Sequence, residues 1–169
     1  MLLKFFTNKN SRAYLRGLAE EFGESTNSVR YELNNLSEAG YLVSQTNGRT
    51  IEYRANTTHP LFPEIKSVVH KYLGIDKIAE TIVEKLGTLR LAFITGDYAE
   101  GRDSGLVDLI LVGAIDRSIL QKCEQRAESL INRKIRSLVL SEREFEEMKE
   151  KLGHEKAIIL WSTLPGIEA

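Results

Sequence analysis

Apolar residues in the first third of the chain recur at spacings of three and four, which is the pattern of amphipathic helices. Gly23 and Gly40 are placed to end two of these helices, because glycine adopts the left-handed conformation of a C-terminal cap without strain. After Gly40 come two short extended runs joined by Asn47-Gly48, a pair that favours a tight β-hairpin. The apolar positions of the two predicted helices are Tyr14, Leu15, Leu18, Ala19 and Phe22, and then Val29, Leu33 and Leu36.

The middle of the chain predicts two further amphipathic helices separated by Gly74. The first is LFPEIKSVVHKYL and the second is IDKIAETIVEKLG. We interpret residues 59–86 as a helical connector that either covers the neighbouring domains or pairs with a second copy.

Buried apolar runs alternate with helical patterns from residue 87 onwards, which is typical of helices layered on a small sheet. Two predicted strands, LRLAFITG and LVDLILVG, flank the polar loop GDYAEGRDSG. A helix containing Cys123 follows, with that thiol on its buried face, and Ser141 is placed to cap a later helix. The runs KIRSLVLS and KAIILW are predicted as the remaining strands.

The stretch YLRGLAEEFGESTNSVRYELNNLSEAGYL resembles the winged helix-turn-helix of the arsenic-repressor-like transcription regulators, over residues 11–55. This resemblance implies an N-terminal domain at residues 1–58 that places the helix of Val29, Leu33 and Leu36 in the major groove of double-stranded DNA. With the apolar positions of that helix turned inward, its opposite face and the hairpin tip are available to DNA. The candidate DNA-binding residues are Ser25, Thr26, Asn27, Ser28, Arg30, Tyr31 and Asn34, with Asn47 and Arg49 on the hairpin. Such domains work as two-fold dimers, so a homodimer is expected.

The second half resembles the minimal nucleotidyltransferases of the DNA polymerase beta superfamily over residues 88–140. The glycines of the loop, Asp103-Ser104 and the strand around Asp108 match that family's frame. In the family, a serine after the first glycine helps to hold a phosphate. Two carboxylates at alternate strand positions hold Mg²⁺ against a nucleotide, with a third acid from a neighbouring strand.

This chain departs from the nucleotidyltransferase pattern at three positions. Leu106 replaces the first acid of the pair, and the third strand carries Arg136 and no acid. Asp97 replaces the phosphate-holding serine, and two like charges about 4 Å apart cost roughly 4 kcal/mol in a partly desolvated loop. The prediction is therefore a degenerate domain at residues 87–169 that binds no metal or cofactor and has no catalytic residue. The remnant site consists of Gly96, Asp97, Arg102, Ser104 and Asp108.

Composition limits the alternatives. Hydrophobic residues make up 42% of the chain and charged residues 28%, which is an ordinary globular balance. The net charge is −1, so contact with DNA requires a local basic face. One cysteine excludes an internal disulfide and a cysteine-based zinc cluster. The first residues, MLLKFF, are too short for a signal or membrane segment, so a cytoplasmic protein without a membrane partner is expected.

Together these observations predict an α+β protein: an N-terminal winged helix-turn-helix, a helical connector and a C-terminal nucleotidyltransferase-like domain with a small mixed sheet. The predicted function is a DNA-binding transcriptional regulator, with the inactive domain used for sensing a small-molecule or protein effector or for interaction. Two alternatives stay open. The chain is an active Mg²⁺-dependent nucleotidyltransferase acting on a protein or nucleic acid, or it is a protein-interaction module.

Overall fold

The computed structural model describes residues 1–86 and 88–167, without the side chains of residues 84 and 155. Residue 87, where the last domain was predicted to begin, and residues 168–169 lie outside the described residues. The chain is a mixed α+β structure with one three-stranded sheet and one four-stranded sheet.

The first half, up to Leu73, contains four helices and three strands. Their bounds are α1 (Leu2–Phe6), β1 (Arg12–Tyr14), α2 (Leu15–Phe22), α3 (Thr26–Glu38), β2 (Leu42–Asn47), β3 (Thr50–Ala55) and α4 (Phe62–Leu73). Gly23 ends α2 with a φ of 65°, as predicted, and Ser25 caps α3 by accepting a hydrogen bond from the backbone N–H of Ser28 at 3.1 Å.

The second half begins with α5 (Ile75–Ile82) and a 3-10 turn at Val83–Lys85, and its elements surround the larger sheet. The further bounds are β4 (Leu89–Thr95), α6 (Gly96–Ala99), β5 (Leu106–Gly113), α7 (Arg117–Ile131), β6 (Lys134–Leu140), α8 (Glu142–Met148), a 3-10 turn at His154–Lys156 and β7 (Ile158–Ser162). Ser141 caps α8, as predicted, within a reciprocal capping box with Glu144.

Two local predictions for the first half are wrong. The periodicity predicts Tyr14 in one helix with Leu15 and Leu18, but Tyr14 ends β1, which pairs antiparallel with β3. The strand is favoured because it buries Ala13 and lets Arg12 bind Glu52 on β3 at 2.8 Å. The pair Asn47-Gly48 is predicted as the hairpin turn, but Asn47 pairs with Thr50, so the two-residue loop is Gly48-Arg49. Gly48 has a φ of 60°, which suits a glycine in the first position of a tight hairpin loop.

The larger sheet has the strand order β6-β5-β4-β7. Strands β5 and β6 are parallel, whereas β4 is antiparallel to both β5 and β7, so the sheet is mixed, as predicted. Alternate residues of β4 and β5 face opposite sides. One side joins a core that extends to Phe5, Phe6 and Leu33 in the first half. The other side packs around Phe145 of α8.

Helix α7 covers the first of these sides and packs against α5. Its Cys123 is 6% exposed within the core, which confirms the prediction of a buried thiol. Across the described residues, no helix is long and apolar enough to cross a membrane.

Candidate functional site

One row of polar side chains crosses the larger sheet at the end where β4 stops. Thr95 of β4 is paired with Asp108 of β5, and Asp108 is paired with Arg136 of β6. Directly opposed residues point to the same side of a sheet, so these three side chains share the side that packs against α8. The next row consists of Leu106 and Lys134. The row places a hydroxyl, a carboxylate and a guanidinium beside one another.

Asp108 and Arg136 form an ion pair within this row. The Nε and Nη2 atoms of Arg136 both lie 2.6 Å from Oδ1 of Asp108. The arginine side chain is 68% exposed and the aspartate side chain is 23% exposed. The hydrogen bond to Asp108 raises the pKa of Arg136, and Coulomb attraction to the same carboxylate adds to it. The guanidinium therefore stays charged and keeps donors available to solvent or to a ligand.

Gly96 lies directly against the Asp108 carboxylate, at the start of the short helix α6. Its φ is 69°, and a Cβ built on it would lie 2.8 Å from Oδ2 of Asp108. The glycine is required here for two reasons, the left-handed backbone and the close approach of the carboxylate. The structure thus brings together Gly96 and Asp108, two of the five predicted remnant-site residues.

Asp97 and Arg102 form a separate exposed group. Arg102 donates to Oδ1 of Asp97, and its Nη2 lies 3.0 Å from Oε2 of Glu100. The hydrogen bond to Asp97 is the main cause of a raised pKa of Arg102. Asp97 is thus neutralised by a neighbour in its own loop. Ser104 is exposed, and its backbone N–H donates to the carbonyl of Arg102 at 3.2 Å.

Sequence reasoning missed a second arginine close to this loop. Arg133 binds both carboxylate oxygens of Asp103, and its guanidinium lies 5.9 Å from the ring centre of Tyr98. Hydrogen bonds from Arg133 lower the pKa of Asp103, against the opposing effect of burial. The alternation along β6 could have indicated that Lys134 and Arg136 share a side, but Arg133 precedes the strand and carries no such pattern.

The residues of this site do not fit the Mg²⁺ ions that the nucleotidyltransferase resemblance implies. Asp108 is the acid of the row, its Oδ1 is bound by Arg136, and the two positions that would supply further carboxylates hold Leu106 and Arg136. Among the described residues, no group of three or more histidine, cysteine, aspartate or glutamate side chains could hold a metal ion. Mg²⁺ requires several oxygen ligands, and the side chains of this row do not supply them.

All nine candidate DNA-binding residues of the first half lie on the exposed surface. Arg30 donates to Oδ1 of Asn27 at 3.3 Å, and Tyr31 is 66% exposed. Arg49 lies in the hairpin loop itself. The faces carrying these residues are therefore accessible to a large ligand.

No family model matches the chain, and no curated protein matches it. A chain of the toxin–antitoxin complex MntA–HepT is 16% identical over 54% of this chain and 72% of its own length, with a TM-score of 0.39. A chain of the complex between the tri-AMPylated HEPN toxin and the MNT antitoxin of Shewanella oneidensis is 16% identical over 54% and 71%, with a TM-score of 0.39. A protein of Sulfolobus solfataricus named as a nucleotidyltransferase is 19% identical over 62% and 91%, with a TM-score of 0.35.

These comparisons support the nucleotidyltransferase-like part of the prediction and contradict its functional part. The solved structures just described are named as a nucleotidyltransferase or as toxin–antitoxin partners, and not as transcriptional regulators. These names contradict the prediction of a DNA-binding transcriptional regulator and the prediction that the chain is not an enzyme.

Proposed function

We propose that this chain is a nucleotidyltransferase that acts on a protein or a nucleic acid, with its site at the Thr95–Asp108–Arg136 row. The observation that carries the proposal is the Asp108–Arg136 pair, in which the two atoms joined are 2.6 Å apart and the arginine is mostly exposed. A transfer reaction of this kind needs a cation for the phosphates and an acceptor for a proton. The pair supplies one of each.

Arg136 is the group that binds the phosphates of the nucleotide. A guanidinium has five N–H donors in a planar fork that matches phosphate oxygens, and it never loses its charge near neutral pH. Two of its nitrogens are held by Asp108, which fixes the plane of the fork. Lys134, in the next row, is 79% exposed, but its charge is paired with Glu128 at 2.9 Å, so Arg136 is the cation that we assign to the phosphates.

Asp108 is the group that accepts the proton of the attacking hydroxyl. The hydroxyl oxygen forms a bond to the α-phosphorus of a nucleoside triphosphate, and the bond from that phosphorus to the bridging oxygen breaks. Pyrophosphate leaves, and the hydroxyl proton moves to the Asp108 carboxylate. A positioned general base of this kind contributes about 10²- to 10⁴-fold to a rate. The absence of a side chain on Gly96 keeps Oδ2 of Asp108 approachable.

The N-terminal part provides a surface for the acceptor, and double-stranded DNA is the partner that we propose for it. In this interpretation α2, α3 and the β2–β3 hairpin form a winged helix-turn-helix, with Arg30 and Tyr31 facing the major groove and Arg49 on the wing. The exposure of all these residues supports the proposal. The division into residues 1–58, 59–86 and 87–169 stays a prediction.

Nucleotide binding is the first test of the proposal. Equilibrium dialysis with each of the four ribonucleoside triphosphates would measure the affinity of the wild type and of Arg136→Ala. We expect binding in the wild type that weakens on this substitution. Arg143→Ala is the matched control, because Arg143 is also an exposed arginine with a carboxylate partner, Glu147, at 3.0 Å.

Transfer is the second test. The chain would be incubated with α-labelled nucleotide and either duplex DNA or its own polypeptide as the acceptor, in Mg²⁺ and in a chelator. We expect label on one acceptor, and about 10²-fold less with Asp108→Asn. Failure of all four nucleotides to bind, together with no label on either acceptor, would overturn the proposal.

DNA binding is tested separately by fluorescence anisotropy with a random-sequence duplex. We expect affinity that falls steeply with salt, because cationic contacts with phosphates release counterions. Arg30→Ala should weaken it by removing such a contact, and Tyr31→Ala by removing a neutral contact in the groove. A wild type that does not bind the duplex would remove DNA as the partner and leave a protein as the acceptor, and equal affinities for the wild type and both variants would remove the Arg30–Tyr31 face as the contact surface.

A further inference from the structure

Helix α4 carries a largely exposed apolar stripe beside the face that it packs against the core. The stripe consists of Leu61, Ile65, Val68 and Tyr72, beginning at the residue before the helix. Leu61 is 46% exposed, Val68 is 66% exposed and Tyr72 is 64% exposed. Single exposed apolar residues are common on protein surfaces, but these four lie on one side of one helix.

The stripe is separate from the face by which α4 joins the core. That face consists of Val69 and Leu73, which are 4% and 1% exposed, together with Phe62, whose ring lies 5.6 Å from that of Phe6. Ile65 lies at the boundary between the two faces and is partly buried. The helix therefore already has its partner within the chain and still presents a second apolar edge.

The spacing of the stripe is four, three and four residues. This is the alternation of the a and d positions along the seam of paired helices, in which each side chain inserts between those of the other helix. Spacings of three and four are those of any apolar face of a helix, and because this face is largely exposed it is open to a second helix.

The charges beside the stripe indicate which helix it is. Glu64 and Lys71 occupy equivalent positions of successive heptads on the solvent side of the stripe. Both are exposed, and within the part of the chain that the structure describes neither forms an ion pair. When two copies of α4 pair antiparallel about a two-fold axis, Glu64 of each copy faces Lys71 of the other. The antiparallel pair of α4 helices thus contains two Glu64–Lys71 ion pairs between the copies.

A parallel pairing does not use these charges. It would set Glu64 of one copy beside Val69 of the other, which is buried within its own chain. In the antiparallel pairing Leu61 packs against Tyr72 of the second copy, and Ile65 packs against Val68 of the second copy. Only the antiparallel arrangement satisfies the apolar seam and both ion pairs.

We propose that two copies of this chain associate through an antiparallel pairing of α4, with the apolar stripe as the seam and the Glu64–Lys71 pairs at its edge. The interface is isologous, so the same patch serves both copies and the assembly closes as a dimer. This proposal does not depend on the proposed enzymatic function, because no residue of the stripe belongs to the Thr95–Asp108–Arg136 row.

Sedimentation velocity over a concentration series tests the dimer. We expect the wild type to sediment with twice the mass of one chain, and Val68→Glu and Tyr72→Glu to sediment as single chains at the same concentrations. Met148→Glu is the control, because Met148 is an exposed apolar residue of α8, on the other side of the larger sheet. Circular dichroism and thermal melting establish that each variant is folded.

A charge exchange tests the register and direction. Glu64→Lys alone and Lys71→Glu alone each create two like-charge contacts, and we expect each to weaken the dimer about tenfold, which corresponds to about 1.4 kcal/mol. The double variant with both substitutions restores the opposite charges and regains the wild-type dissociation constant. A wild type that stays a single chain at every concentration overturns the proposal. The proposal is also overturned if Val68→Glu leaves the dimer intact, or if the double variant dimerises no more tightly than the two single variants.

Discussion

The backbone of Gly96 and the carboxylate of Asp108 are so close that a Cβ on the glycine would lie 2.8 Å from Oδ2. The glycine starts α6 immediately after β4, and the aspartate lies on β5, paired with the last residue of β4. The bend of the chain at residue 96 is therefore built around the acid that we place at the centre of the site.

Gly96→Ala is expected to destabilise the fold through two effects. The left-handed backbone costs an alanine about 1–2 kcal/mol, and displacement of the Asp108 carboxylate adds to that cost. The free energy of unfolding, from urea denaturation, measures the sum. Gly105→Ala is the control, because Gly105 has a φ of 77° but no atom within 4 Å of a built Cβ. An equal loss in both variants would contradict the importance of the close approach.

The elements with strong local patterns could be predicted from the sequence. The strands around the loop GDYAEGRDSG, the helix that buries Cys123 and the cap at Ser141 follow from alternation, periodicity and capping chemistry. The strand at Arg12–Tyr14 could not, because three residues carry no periodicity and the strand exists through its pairing with β3. The hairpin loop shifted by one residue for the same reason: Leu42 pairs with Ala55, and this register places Gly48 first in the loop.

The candidate site was predictable in part. Gly96 and Asp108 match the pattern of the minimal nucleotidyltransferases in the sequence, and the structure places them in contact. The sequence grouped Asp97 and Arg102 with them, but the loop folds so that these two bind each other. The pairing of Asp108 with Arg136 depends on the parallel register of β5 and β6, which are separated by the whole of α7. Such long-range register is not encoded in any local pattern.

The Asp108–Arg136 pair is expected to contribute little to stability. Its arginine is 68% exposed, and exposed ion pairs contribute about 0–1 kcal/mol to folding. Asp108→Asn and Arg136→Gln should therefore change the free energy of unfolding by less than about 1 kcal/mol, while nucleotide binding weakens with Arg136→Gln. Urea denaturation and equilibrium dialysis on the same preparations measure the two quantities. A large loss of stability would indicate a structural role for the pair.

Mg²⁺ is expected to leave the thermal stability of the wild type unchanged, because a ligand raises the melting temperature only when it binds the folded state. The double variant Leu106→Asp with Arg136→Ser places two carboxylates at alternate positions on one side of β5 and removes the competing cation. Its melting temperature should rise with Mg²⁺ and return to its starting value in a chelator. A rise in the wild type would contradict the conclusion that its own residues do not fit the metal.

His70 is expected to make the fold less stable at mildly acidic pH. Burial lowers the pKa of His70, against the hydrogen bond with the carbonyl of Thr7, where Nε2 lies 2.9 Å from the oxygen. As the pH falls below the ordinary histidine value of about 6.5, the unfolded chain takes up a proton before the folded one does. The free energy of unfolding should therefore be highest above about pH 7.5. It should decline as the pH falls through the ordinary histidine pKa towards the lower pKa of His70 in the folded state.

His70→Gln separates this effect from other titrations, because a glutamine amide can still donate to the carbonyl of Thr7 but does not bind a proton in this range. We expect the variant to lose part of the decline in stability between about pH 7 and pH 5.5. Urea denaturation at a series of pH values measures the decline, and the NMR titration of the His70 ring gives its pKa directly. A ring that titrates at or above the ordinary value would contradict the burial of its neutral form against α1.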